Sequence, residues 1–151
     1  MQTRLRPATP EDFAFAFEAK REALGPHIRA RWAWNEDFQR EIHGQRWQER
    51  PWFIIEIDGL PIGTLSVEEH ADHMRFGEFY LLPAWQGRGI GSDLLRATLR
   101  RADELALPVR LEYLQWNPVG SLYLRHGFKQ VSESATHFFL VREPGTAYPQ
   151  D

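Results

Sequence analysis

The 151-residue chain has no cysteine. Disulfide frameworks, thiolate zinc sites, cysteine redox chemistry and any acyl-cysteine intermediate are thereby excluded, while the compartment is left open. No long apolar run opens the chain: Met1 is followed by Thr3, Arg4, Arg6 and two prolines. Neither a secretory signal nor a membrane span is expected, and cytoplasmic residence is the default reading. Nor is positive charge in excess. Eighteen Lys and Arg against 21 Asp and Glu give a net charge of −3, with a pI near 6.1. That balance argues against nucleic acid as a partner and favours a small neutral or cationic acceptor over a large anionic one. No repeat, low-complexity tract or Ser/Gly-rich linker divides the chain. Residues 1–142 read as one domain long enough to fold on its own core, and the polar residues 143–151, with two prolines, as a flexible tail.

What is abundant is aromatic: six Trp, ten Phe and four Tyr. Large rings dominate buried area, so most belong to the core. Hydrophobic periods and turn residues give the order β-α-α-β-β-β-α-β-α-β-β. Residues 2–6 are extended ahead of Pro7. Thr9-Pro10-Glu11-Asp12 starts a helix with Thr9 as N-cap; it carries Phe13, Phe17 and Leu24 inward and ends at Gly25-Pro26. A second helix is expected from Asn35 to about Gln45, with Phe38 and Ile42 on one face. Trp52–Ile57 and Leu60–Val67 form a hairpin around Asp58-Gly59, and His73–Leu82 is a further strand. Ile90, Leu94, Thr98, Ala102 and Leu105 mark the buried stripe of a helix that Pro108 stops. Val109–Leu114 is a strand, Pro118–Arg125 a short helix, and Phe128–Val131 and Thr136–Val141 the last two strands. A mixed sheet follows, with one crossover setting strand 109–114 parallel to strand 74–82.

Between Leu82 and the third helix lies Gln86-Gly87-Arg88-Gly89-Ile90-Gly91. Glycines at 87, 89 and 91 let backbone N–H groups turn toward a ligand, and the helix N-terminus adds partial positive charge. Such a loop is an anion cradle suited to a phosphate or pyrophosphate. No Lys-Ser/Thr follows the glycines, so it is not a triphosphatase loop, and Ser92 stands where a dinucleotide fingerprint has its third glycine.

Q-x-x-G-x-G at Gln86–Gly91, after a strand ending Leu81-Leu82-Pro83, resembles the acetyl-CoA signature of the GNAT superfamily of N-acetyltransferases. Asn117 to Phe128 is similar to that family's N-x-x-x-x-L-Y-x-x-x-G-F segment, and Leu5 to Asp12 to its first strand and helix start. The resemblance runs from about residue 3 to 142. It implies an α/β (α+β) fold: a mostly antiparallel sheet of about six or seven strands, helices on both faces, and a splayed central strand pair that takes the pantetheine arm. Backbone groups of Phe79, Tyr80, Leu81 and Leu82 would then bind the pantetheine amides. N–H groups of Gln86, Gly87, Arg88, Gly89, Ile90 and Gly91, with Ser92 beside them, would hold the pyrophosphate. A main-chain N–H on the first of the two strands would polarise the thioester carbonyl.

Tyr123 falls where the family often places the group that protonates the departing CoA thiolate. A phenol near about pKa 10 and a thiol near about 8.5 are close enough for that transfer. Asn117 would hydrogen-bond the pantetheine arm, cap the short helix through its Asn-Pro turn, or do both. For the base, strand alternation puts Glu78 on a face with Phe76, Tyr80 and Leu82, and Glu112 on the neighbouring strand is second. A carboxylate near about 4.3 is a poor base for an ammonium near about 10 unless burial raises it or water relays the proton. The competing reading of either is a sheet carboxylate paired with Arg75 or Arg110. Trp32 and Trp34 would line the acceptor pocket, with packing of the helix as the alternative for one ring. Glu68, Glu69, His70, Asp72 and His73 have metal-like spacing but fall in a polar hairpin, so no metal is expected. The resulting expectation is acetyl transfer from acetyl-CoA to a primary amine of a small molecule or peptide in a ternary complex. The alternative is a non-catalytic acyl-CoA-binding module, which needs the loop but neither proton donor nor base. Edge strands near the C-terminus offer a surface for a homodimer.

Overall fold

A computed structural model describes residues 3–31, 35–115 and 117–149. The described strands are β1 (Thr3–Pro7), β2 (Phe53–Ile57), β3 (Leu60–Glu69), β4 (Met74–Leu81), β5 (Val109–Leu114), β6 (Lys129–Glu133) and β7 (His137–Arg142). The helices are α1 (Phe13–Arg31), α2 (Glu36–Glu49), α3 (Ile90–Glu104) and α4 (Gly120–Arg125). The element order is the expected one. The strands form one sheet in the order β1-β2-β3-β4-β5-β7-β6. Antiparallel ladders join β1 to β2, β2 to β3, β5 to β7 and β6 to β7. The crossover through α3 makes β5 parallel to β4, in register at Met74↔Val109 and Arg75↔Arg110. The contacts divide the chain into two compact units, Met1–Ser66 with Glu78–Ile90, and Val67–Gly77 with Gly91–Asp151.

In the first unit α1 runs past the Gly25-Pro26 pair where it was expected to end. Proline removes one N–H from the helix ladder, here the partner of the Glu22 carbonyl. Both Glu22 and Pro26 are exposed, so water can take that carbonyl and the helix continues. Asn35 caps α2 by accepting the Phe38 N–H at 2.9 Å, and the helix extends one turn beyond the expected Gln45. Phe38, expected inside, is 55% exposed, and the buried residue of α2 is His43. Its ring lies 4.8 Å from Phe13, 5.4 Å from Phe17 and 5.3 Å from Trp52, so the aromatic surplus does serve as core here. That desolvation lowers His43 to about 4 and keeps it neutral near pH 7. In β2 the consecutive Ile54 and Ile55 are both fully buried, so both faces of the strand are covered.

In the second unit α3 buries Leu95, Leu99 and Ala102 along one stripe, whereas Leu105, expected on it, is 38% exposed past the helix end. Arg142 is fully buried; its guanidinium meets both Asp103 oxygens at 2.9 and 3.1 Å, donates to the Thr146 carbonyl, and lies 5.1 Å from the Tyr148 ring. The Gly145 N–H also donates to Asp103, at 2.8 Å. The segment read as a tail thus carries these contacts. Gly127 has φ +88, and a methyl group there would lie 2.8 Å from Thr146, so only glycine lets this segment pass.

One charge network in the first unit yields a pH prediction. Arg6 meets both oxygens of Asp12 at 2.8 and 2.9 Å, and Asp12 also accepts the Thr9 N–H. The Arg6 hydrogen bonds bring Asp12 from 3.8 to about 2. A carboxylate depressed by folding stabilises the fold above its ordinary value and loses that contribution as the pH falls through the lowered one. Denaturant titrations should show roughly 2 kcal/mol of stability disappearing between pH 4 and pH 2, and Asp12→Asn should flatten that drop. An unchanged pH profile in the variant would show that Arg6 does not act through Asp12.

Candidate active site

The alternation expected of β4 breaks at Glu78, whose φ is +47. Phe76, Gly77 and Glu78 are buried in succession, where an unbroken strand would alternate. A non-glycine residue in this region costs on the order of 1–3 kcal/mol and persists only where its surroundings hold it. Here they do. The Thr64 hydroxyl, itself fully buried, donates to the Glu78 carbonyl at 2.9 Å. Arg50 Nη1 donates to Glu78 Oε1 at 2.8 Å, Arg46 Nη1 stands 3.6 Å from the same oxygen, and the Tyr80 hydroxyl donates to Oε2 at 3.3 Å.

Below this bend β3 and β4 are pressed together. A Cβ on Gly63 would strike the Tyr80 carbonyl oxygen and lie 3.1 Å from the Leu81 Cα. The Leu82 N–H donates to Ile62 at 2.9 Å, and the strand ends in a 3-10 turn at Pro83–Trp85. The Gln86 side chain then donates to the Leu81 carbonyl at 2.9 Å, tying the loop to the strand it follows.

The loop itself is exposed from Gln86 to Gly89. Gly87 and Gly89 have φ +73 and +81, and a methyl group on either would find nothing within 4 Å. These glycines are required by backbone conformation and face open space. Among the turn and cap bonds of the described residues, none has a donor from 87 to 89. Arg88 folds over the Trp85 ring at 4.8 Å, and Ile90 is buried and anchors the start of α3.

Tyr123 is buried, with ring contacts to Tyr113 at 5.6 Å, Phe128 at 5.8 Å and Phe76 at 6.1 Å. Burial, with Tyr113 beside it, pushes the Tyr123 phenol well above its ordinary range. Gly120 opens α4 beneath the Tyr113 hydroxyl, in a space that any Cβ would invade. Asn117 Oδ1 accepts the Val119 N–H at 3.1 Å, a turn that leads into α4, while the cap position itself is Val119, with no side-chain cap. Glu112 accepts from Arg75 at 3.0 Å, the paired state weighed against its role as base. His70 and His73 stack at 4.6 Å beside Glu68 and Asp72, and no group of three or more metal-ligating side chains occurs among the described residues. Trp32 and Trp34 lie outside the described residues.

Lys20, Arg46, Arg50 and Thr64 were absent from the expected site. For Lys20 the signal was there: it follows Phe13, Ala16 and Phe17 at helical spacing, a charge on the apolar stripe of α1. Its residue is 3% exposed, and burial brings it down to about 8, against the opposing pull of Glu78.

Sheet order, crossover and glycine loop agree with an acyltransferase, the class that the family match shows. Residues 48–130 match the acetyltransferase (GNAT) domain, more than half of the chain, which therefore belongs to the GNAT family. Its fold is similar to that of the PaiA N-acetyltransferase of Thermoplasma acidophilum in complex with coenzyme A, at 22% identity and TM-score 0.77, over 95% of this chain and 99% of that one. A putative phosphinothricin N-acetyltransferase matches at 21% identity and TM-score 0.67, over 95% and 99%. The ribosomal-protein-S18-alanine N-acetyltransferase of Escherichia coli matches at 13% identity and TM-score 0.67, over 97% and 96%. No curated protein sequence matches the chain.

Two substitutions test the site's construction. Thr64→Val leaves the Glu78 carbonyl buried without its partner and should cost about 1–3 kcal/mol in chemical denaturation. Gly89→Ala imposes a left-handed conformation on a side-chain-bearing residue and should cost roughly 1–2 kcal/mol in chemical denaturation.

Proposed function

We propose that the chain transfers an acetyl group from acetyl-CoA to the primary amine of a small molecule or peptide, by direct attack in a ternary complex, within one domain over residues 1–142. The observation that carries this reading is the exposed loop whose left-handed Gly87 and Gly89 leave room where side chains would stand. Acetyl-CoA supplies the acetyl thioester. The backbone of Gln86 to Gly91, with Ser92, holds its pyrophosphate. Phe79 and Tyr80 offer backbone groups to the pantetheine amides; the Leu81 carbonyl already accepts from Gln86, and Leu82 is engaged at both its N–H, to Ile62, and its carbonyl, from Trp85.

Glu78 takes one proton from the acceptor ammonium through water, since Arg50 and Tyr80 already occupy its oxygens. Glu112 is the second carboxylate for that role. As the nitrogen–carbon bond forms and the carbon–sulfur bond breaks, Tyr123 supplies a proton to the sulfur, the nitrogen gives its second proton to water, and the Tyr123 phenolate takes one back from water, so that one proton, the one taken by Glu78, is released overall. Burial makes the phenol a reluctant donor, so its transfer depends on the thiolate forming in surroundings that raise it as well. Asn117 keeps its amide N–H groups for the pantetheine arm, its oxygen accepting the Val119 N–H.

Cytoplasmic residence and pairing of two copies through β6 belong to the same reading. No helix of the described residues is long and apolar enough to cross a membrane, and β6 is exposed along its length.

The deciding experiment is thiol release from acetyl-CoA across a panel of amines and peptides. Tyr123→Phe should lower kcat at least about tenfold with CoA affinity unchanged. Full turnover in that variant removes Tyr123 as the acid. CoA binding without thiol release from any acceptor would instead make the chain an acyl-CoA-binding module.

A further inference from the structure

We propose that Tyr148 is a positioning residue for acetyl transfer: its ring holds His126, and through it the turn after α4 that fixes the backbone of Tyr123. The inference rests on the reading of Tyr123 as the acid and deepens it. α4 has only six residues, too few for a helix to keep its place by its own hydrogen bonds. The direction of the Tyr123 side chain must therefore be set from outside that helix.

The turn that follows α4 sets it. The His126 N–H donates to the Tyr123 carbonyl at 3.0 Å, and the Phe128 N–H donates to the same oxygen at 3.2 Å. His126 Nδ1 lies 2.7 Å from the Leu122 carbonyl, which can only accept, so the imidazole donates back into α4. The residue is 1% exposed, and its other nitrogen, Nε2, has no hydrogen-bond partner among the described residues. A ring held by one hydrogen bond can still tilt about it, and a flat contact removes that freedom. Tyr148 makes the contact: its ring is 6.3 Å from that of His126 and 22° from parallel, within the range of offset stacking.

Tyr148 is held in its turn. Its ring lies 5.1 Å from the guanidinium of Arg142, which is fully buried and fixed on both oxygens of Asp103. The intervening segment is tied as well, by the Gly145 N–H to Asp103 at 2.8 Å and the Thr146 N–H to the Glu143 carbonyl at 3.2 Å. It passes so near the turn that a Cβ on Gly127 would stand 3.0 Å from the Ala147 carbonyl oxygen. A continuous path thus runs from the Arg142–Asp103 pair through Tyr148 and His126 to the Tyr123 backbone. Its end point is the one residue of α4 to which the reaction gives a role, and a reacting group displaced by about 1 Å can lose about 10²-fold in rate.

The test is a double-mutant cycle of Tyr148→Ala with Tyr123→Phe, reading kcat for thiol release with the most active acceptor of the amine panel and hydrogen exchange at single amides. Tyr148→Ala should lower kcat about tenfold with CoA affinity and acceptor KM unchanged, and the His126 and Phe128 amides should exchange faster. Tyr148→Phe, which keeps the ring, should retain most of the rate. In the Tyr123→Phe background Tyr148→Ala should change kcat by less than about twofold, because the group it positions is already gone. Should Tyr148→Ala fail to fold, Tyr148→Leu fills the space without a planar ring and takes its place. A merely structural role would lower kcat by the same factor in both backgrounds, and that result overturns the inference. So does wild-type kcat, or unchanged exchange at His126 and Phe128, in Tyr148→Ala while Tyr123→Phe remains slow. Full turnover in Tyr123→Phe, or no thiol release with any acceptor, would instead defeat the reading of Tyr123 as the acid, and this inference with it.

Discussion

The hydrogen bond from the Thr64 hydroxyl to the Glu78 carbonyl is the constraint on which the first unit's functional residues depend. A carbonyl turned out of register by a left-handed residue must find a donor elsewhere, and within a sealed strand pair a hydroxyl from the neighbouring strand is the donor at hand. With that carbonyl satisfied and the carboxylate held by Arg50, the bend in β4 is fixed at both ends of one residue. The main chain from Phe79 onward takes its direction from this bend, and Gly63 lets β3 follow it closely. The loop at Gln86 then starts from a strand whose course has already been set.

The same residue organises the charges around it. The buried Glu78 carboxylate at the bend is held by Arg50 at 2.8 Å, with Arg46 at 3.6 Å from the same oxygen.

Much of this was legible in the sequence. Element order, the parallel crossover and the glycine loop follow from hydrophobic period, turn residues and the requirement for positive φ at Gly87 and Gly89. What was not legible arose from tertiary context. The bend at Glu78 has no local signature, because Glu is not a residue that favours left-handed backbone; Thr64, 14 positions away, makes it tenable. Pro26 read as a helix end, since sequence does not show that the carbonyl it orphans is exposed to water. Lys20 was readable as a charge on an apolar stripe, but which groups surround it depends on α2 and β4 together.

The sheet order has a consequence for how the second unit is made. β7 lies between β5 and β6, although it follows both in the sequence. Until it arrives, β6 has no neighbour and β5 keeps an open edge, and the buried Arg142 at the end of β7 does not meet Asp103 until then. Until β7 is present this part of the sheet therefore keeps two unpaired strand edges, the kind of edge on which chains associate.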